Sequence, residues 1–132
     1  MNKVLVDTGA WYALVDRKDP DYVDVRACLN AYQGRLVVSD YILDETLTLL
    51  RYRLGWEAAN TFGESLLSGD VAALHDLTRK DKEEAWRIFR QYRDKSFSFT
   101  DCTSFALMQR LKLTTAVAID SDFRTYGLHC IP

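Results

Sequence analysis

Proline, glycine and histidine are scarce in this chain, at 2, 6 and 2 of 132 residues. Pro20 and Pro132 both fall outside the patterned segments, so no predicted element is interrupted from within. The few glycines form no phosphate-cradling loop, and "GESLLSG" does not fit a nucleophile elbow, which removes nucleotide-hydrolase and serine-hydrolase readings. His75 and His129 stand alone without metal-ligand spacing and read as structural. Cys28, Cys102 and Cys130 are odd in number and lack a Cys-x-x-Cys pair, which excludes a zinc knuckle or disulfide scaffold and suggests reduced thiols. No apolar run is long enough for a signal sequence or membrane span, so a soluble cytoplasmic protein is expected. Cationic excess is absent too: 17 Lys and Arg face 19 Asp and Glu, for a net charge of −2. Any contact with a polyanion must therefore come from local patches or bound cations.

What is present is globular, with 48% hydrophobic and 27% charged residues and a length suited to one domain over residues 1–132. "KVLVD", "RLVVS", "DVAALH", "TTAVAID" and "LHCI" are short apolar runs and read as strands. Between them lie a turn of helix after Gly9, a helix in "DYVDVRACLNAY", a broad-faced helix from Ser39 or Asp40 to Leu54, and one from Trp56 to Leu67. Two more follow. "TRKDKEEAWRIFRQYRD" turns Ala85, Ile88, Phe89 and Tyr92 inward, and "DCTSFALMQRL" precedes the last strands. Apolar strands alternating with helices call for a three-layer α/β/α sandwich around a parallel sheet of about five strands.

In open parallel sheets, ligands gather beyond the carboxyl ends of the strands. Asp7 ends the first strand, Asp120 closes "AVAID", Glu45 sits near the apolar face of its helix, and Asp101 opens another, with Asp122 in reserve. Each acid has a structural explanation. Asp7 can cap a helix, "SFTD" fits a capping box, Asp120 and Asp122 can form an Asx-turn, and Glu45 can reach solvent beside Asp44. Together they pose a problem, because two unit charges 4 Å apart repel by about 4 kcal/mol at an effective dielectric near 20. No lysine or arginine lies within two residues of Asp7, Asp101 or Asp120. Protonation or a divalent cation must relieve the repulsion, and an all-oxygen donor set suits Mg²⁺ or Mn²⁺. Such a site is equipped to hydrolyse a phosphodiester.

Around these acids, Arg51 and Arg53 on the Glu45 helix are candidates for RNA contact at the rim. Arg87, Arg90 and Arg93 interleave with Glu83 and Glu84 and read as a solvated face. Trp11, Tyr12 and Tyr41 can stack bases, though core packing is the plainer role.

The segments "VLVDTGAWYAL", "LDETLTLLRYR", "FSFTDCTSFALMQRL" and "AVAIDSDF", in this order, resemble the PIN-domain ribonucleases, especially the VapC-type toxins. The resemblance spans nearly the whole chain. It implies a metal-dependent endoribonuclease of a toxin–antitoxin pair, with Asp7, Glu45, Asp101 and Asp120 catalytic and Thr8 a supporting hydroxyl. Mg²⁺ or Mn²⁺ would then be held by Asp7, Asp101, Asp120 and Asp122. It also implies a tRNA, rRNA or mRNA substrate, a homodimer, and an antitoxin over the cleft with contacts near Trp56 and Phe62. One departure stands out: Ala118 occupies the position, two before the fourth acid, where the family often carries threonine. Asp120 is preferred to Asp122 because it is expected to end its strand directly. A receiver-like module is disfavoured, since Thr8 replaces a second adjacent acid and no lysine follows the last two strands. A PIN-like module that binds RNA or protein without turnover is the alternative that shares the fold.

Overall fold

The computed structural model describes residues 2–132. Five strands, β1 (Val4–Val6), β2 (Leu36–Ser39), β3 (Ala73–His75), β4 (Thr115–Val117) and β5 (His129–Ile131), form one sheet in the order β3-β2-β1-β4-β5. Every pairing is parallel. Seven helices connect them: α1 (Thr8–Val15), α2 (Tyr22–Ala31), α3 (Asp40–Leu54), α4 (Trp56–Leu67), α5 (Arg79–Gln91), α6 (Phe99–Leu111) and α7 (Asp122–Tyr126). Right-handed crossovers send successive connections to opposite faces once the strand order reverses. Helices α1 to α4 accordingly pack among themselves, as do α5 to α7. The expected sandwich is thus the observed one.

Burial follows strand position. β1 and β2 are buried along their whole length, as a strand covered on both faces must be, whereas the edge strand β3 is not. Trp11 and Phe105 anchor the two helical layers. Trp11 is wholly buried and meets Phe62 edge-on at 5.5 Å, while Phe105 stacks on Tyr126 at 4.2 Å. Trp11 is therefore core, and Tyr12 is also buried, its hydroxyl bonded to Asp16.

Two expectations need correction. β4 stops at Val117, so Asp120 lies in the loop beyond the strand instead of closing it. The backbone there turns into the short helix α7, which the apolar pattern of "AVAID" conceals. Phe89 does not face inward: it is 40% exposed and stacks on Trp86, also exposed, because α5 carries apolar residues on two sides.

One structural ion pair escapes sequence reasoning. Asp81 is buried, completes the capping box of α5 with Thr78, and receives both Nε and a terminal nitrogen of Arg110 on α6 at 2.9 Å. Burial alone would raise its pKa, but the Arg110 and Thr78 bonds outweigh that and hold it below the usual value. A lowered native pKa contributes stability above the unfolded value, which is lost as pH falls. Arg110→Ala should therefore destabilise the protein by about 2 kcal/mol at pH 7, read by urea denaturation, with the difference closing in acid as Asp81 protonates.

Candidate active site

β1 lies between β2 and β4, where the chain's progression across the sheet reverses, and a crevice opens beyond the carboxyl ends of such strands. Asp7 is the first residue past β1. Its N–H donates to Val117 O at 3.0 Å, so the backbone ladder with β4 fixes where the side chain projects. Asp7 occupies the N-cap of α1 but makes no side-chain cap bond, and its Oδ1 is buried without a hydrogen-bond partner. The capping explanation for Asp7 fails. A carboxylate oxygen left orphaned in the interior requires a proton or a cation.

The other acids arrive from separate elements. Ser39 caps α3 by accepting the Ile42 N–H, which starts the helix directly at the end of β2 and carries Glu45 to the crevice. There the Thr8 hydroxyl donates to Glu45 Oε1 at 2.5 Å, tying α1 to α3. Asp101 does form the expected capping box: its Oδ2 accepts the Ser98 N–H while Ser98 Oγ accepts the Asp101 N–H, each at 3.0 Å. Capping uses one oxygen of Asp101 and leaves the other free. Asp120 and Asp122 form the expected Asx-turn, with the Asp122 N–H donating to Asp120 Oδ1 at 3.0 Å. Asp122 Oδ1 also lies 3.4 Å from Ser96 Oγ.

All five acids and Thr8 line a single cleft of about 700 Å³. Asp44, Thr48, Ser96 and Ser98 also line it, and sequence reasoning gave none of them a role there. The adjacency of Asp44 to Glu45 was the available signal. Among the described residues, no lysine, arginine or histidine lines the cleft. Arg51 and Arg53 are not among its walls: Arg51 borders the neighbouring groove between α3 and α4, and the Arg53 guanidinium lies 5.2 Å over the Tyr12 ring.

Charge and burial act on these carboxyls together. Burial, and then repulsion from Asp101, push the Asp7 carboxyl up to about 8, with Asp120 and Glu45 adding to the shift. Burial likewise lifts Asp101 to about 6, opposed by its Ser98 bonds and reinforced by Asp120 and Asp122. No three His, Cys, Asp or Glu side chains among the described residues are drawn tightly enough to hold a metal ion as they stand.

The shift in Asp7 has a measurable sign. A carboxyl whose native pKa exceeds its unfolded value contributes most below the unfolded value, and that contribution is lost as pH rises to the native one. The metal-free protein should lose stability between about pH 4 and pH 8 on this account. Asp7→Asn, which carries no titrating charge, should raise the melting temperature in EDTA, by more at pH 8 than at pH 4.5; an equal effect at both would remove Asp7 as the cause.

Comparison with known proteins identifies the family. The PIN domain family matches residues 4–128. The "23S rRNA-specific endonuclease VapC20" of Mycobacterium tuberculosis is 32% identical over 124 residues, covering 94% of each chain. A "VapC ribonuclease" of Archaeoglobus fulgidus is 33% identical over 124 residues, covering 90% of this chain and 78% of that one. The crystal structure of the Mycobacterium tuberculosis VapC20, described as a sarcin-ricin loop cleaving toxin, superposes with a TM-score of 0.90 at 29% identity, covering 96% of each chain. A DNA-bound VapBC structure from Salmonella typhimurium shares the fold, with a TM-score of 0.74 at 16% identity and coverage of 98% and 97%. Among the described residues, no helix is long and apolar enough to cross a membrane. The chain belongs to the PIN-domain family, among its VapC ribonucleases.

Proposed function

We propose that this protein is a metal-dependent endoribonuclease that hydrolyses RNA phosphodiester bonds as the toxin of a toxin–antitoxin pair. One observation carries the reading: six carboxylates, Asp44 among them, line one cleft that no cationic side chain among the described residues enters. Mg²⁺ or Mn²⁺ fits this donor set of hard oxygens, and the buried orphan oxygen of Asp7 supports such a ligand. Asp7, Asp101, Asp120 and Asp122 are the residues that would hold it. Bound there, the cation supplies Lewis acidity, attracting the phosphate and easing ionisation of the attacking water.

The chain's own residues divide the remaining work. Asp7 and Asp101 are rigid, one set by the β1–β4 ladder and the other by its capping box. Asp120 is exposed, and its Oδ1 is held by the Asx-turn to Asp122. Thr8 holds Glu45 through its hydroxyl, which orients that carboxylate as a general base for water. With β4 ending at Val117, strand position no longer separates Asp120 from Asp122, and both face the cleft. The 23S rRNA sarcin-ricin loop is the first substrate to try, because VapC20, described as cleaving it, matches nearly the whole chain.

An antitoxin and a second copy of the chain are the expected protein partners. The groove of about 800 Å³ between α3 and α4 suits an antitoxin segment, since it adjoins the cleft and shares Thr48 and Tyr52 with it. Tyr52 and Trp56 are exposed there at 85% and 59%, whereas Phe62 is buried and lines a different groove, beside α1.

Incubation with rRNA in Mn²⁺ should give discrete cuts, mapped by primer extension. Asp101→Asn should lower the rate by two orders of magnitude or more, roughly the effect of losing a catalytic electrostatic contact. Cleavage by Asp101→Asn at the parent rate would refute the assignment, and metal binding with no cut in any RNA would favour a module without turnover.

A further inference from the structure

The acidic cleft repels the substrate it is proposed to cut, so RNA must be held by something beside the metal. A second groove, of about 540 Å³, runs along α5 and meets the cleft at Ser96, which lines both. Its walls carry Arg90, Arg93 and Lys95 and no carboxylate. The neighbouring groove between α3 and α4 offers only Arg51 with Glu64 opposite. Glu84, the nearest acid on the helix, is taken by Arg87 through two bonds of 2.6 and 2.9 Å. Arg90 and Arg93 make no ion pair among the described residues, and Lys95 has only a 3.6 Å contact with the exposed Asp94.

Aromatic surface lies along the same groove. Trp86 and Phe89 stack at 5.7 Å and are 54% and 40% exposed. Both rest edge-on against Phe99, at 6.4 and 6.1 Å, so the platform is braced from the helix that carries Asp101. Exposed rings beside unpaired cations form the pattern that binds single-stranded nucleic acid: phosphates to the cations, bases to the ring faces. The outward-facing Phe89, which a core role does not explain, acquires a purpose here.

We infer that the α5 groove is a single-stranded RNA track, in which Arg90, Arg93 and Lys95 hold phosphates of the strand flanking the scissile bond while Trp86 and Phe89 stack its bases. The track rests on the nuclease reading for the identity of its ligand. It reverses the expectation that the Arg87, Arg90 and Arg93 run is merely a solvated face, for Arg90 and Arg93 though not for Arg87.

Anisotropy of a labelled single-stranded RNA oligonucleotide tests it, using the full chain with Asp7→Asn and no added divalent ion, across a salt series. Arg90→Ala with Arg93→Ala should weaken binding at low salt about tenfold or more and flatten the slope of log K against log salt by roughly 1.4, the counterion release of two contacts on a single strand. The corresponding lysine pair should keep the slope. Trp86→Ala with Phe89→Ala should weaken binding about tenfold with little change in slope, as for lost stacking. Unchanged affinity and slope in the folded arginine variant would overturn the track. So would a Trp86 and Phe89 variant that turns a dimer into a monomer in sedimentation while binding RNA normally, since the face would then belong to a second copy. Cleavage by the parent in Mn²⁺, assayed separately, keeps the two readings apart: cutting with an unchanged slope rejects only the track, and the altered slope without cutting rejects only the nuclease.

Discussion

Mutual repulsion among carboxylates is the constraint around which this molecule is arranged. Folding brings Asp7, Glu45, Asp101, Asp120 and Asp122 to one cleft and, among the described residues, supplies no lysine, arginine or histidine to its walls. In a structural ion-pair network the cation would be built in, as it is where Arg110 meets Asp81 between α5 and α6. The two sites make a direct contrast within one chain. At Asp81 the charge is neutralised internally and its pKa is lowered; at Asp7 it is not, and the pKa is driven up. The cleft retains unsatisfied negative potential, available to an external ion.

That arrangement follows from topology and a few local devices. The reversal of strand order at β1 makes the crevice, and the β1–β4 ladder aims Asp7 into it. Ser39 and Ser98 start α3 and α6 at the same edge, so each cap delivers an acid, Glu45 in the second turn of its helix and Asp101 by reciprocal bonding. The Ser98–Asp101 box shows that structural and chemical roles are compatible, because a carboxylate has two oxygens and the cap uses one.

Much of this was legible in the sequence for physical reasons. Strands such as "VLV" and "LVVS" are buried on both faces, and continuous apolar runs advertise that. Asp7 ends a buried run, Asp101 opens one and Glu45 sits near the apolar face of α3, and a charge in such a place conflicts with its surroundings. What escaped detection depended on three-dimensional detail. The end of β4 was hidden because "AVAID" stays apolar through Ile119 after pairing has ceased. Phe89 looked like core by helical spacing, yet its side of α5 faces outward. Arg110 and Asp81 are 29 residues apart, and no periodicity links them. Arg51 and Arg53 were placed by proximity along the helix to Glu45, and neither lines the cleft itself: Arg51 borders the adjoining groove and Arg53 lies over the Tyr12 ring.

The central claim is that these carboxylates gather around one hard divalent cation. Free Mn²⁺ counted by its electron paramagnetic resonance signal, during titration of the parent protein and of Glu45→Gln, Asp101→Asn and Asp120→Asn, tests it most directly. The account predicts saturable binding by the parent, a loss of tenfold or more in affinity for Asp101→Asn, and competition by Mg²⁺. Binding of equal strength in the parent and all three variants would contradict it, because the ion would then reside elsewhere.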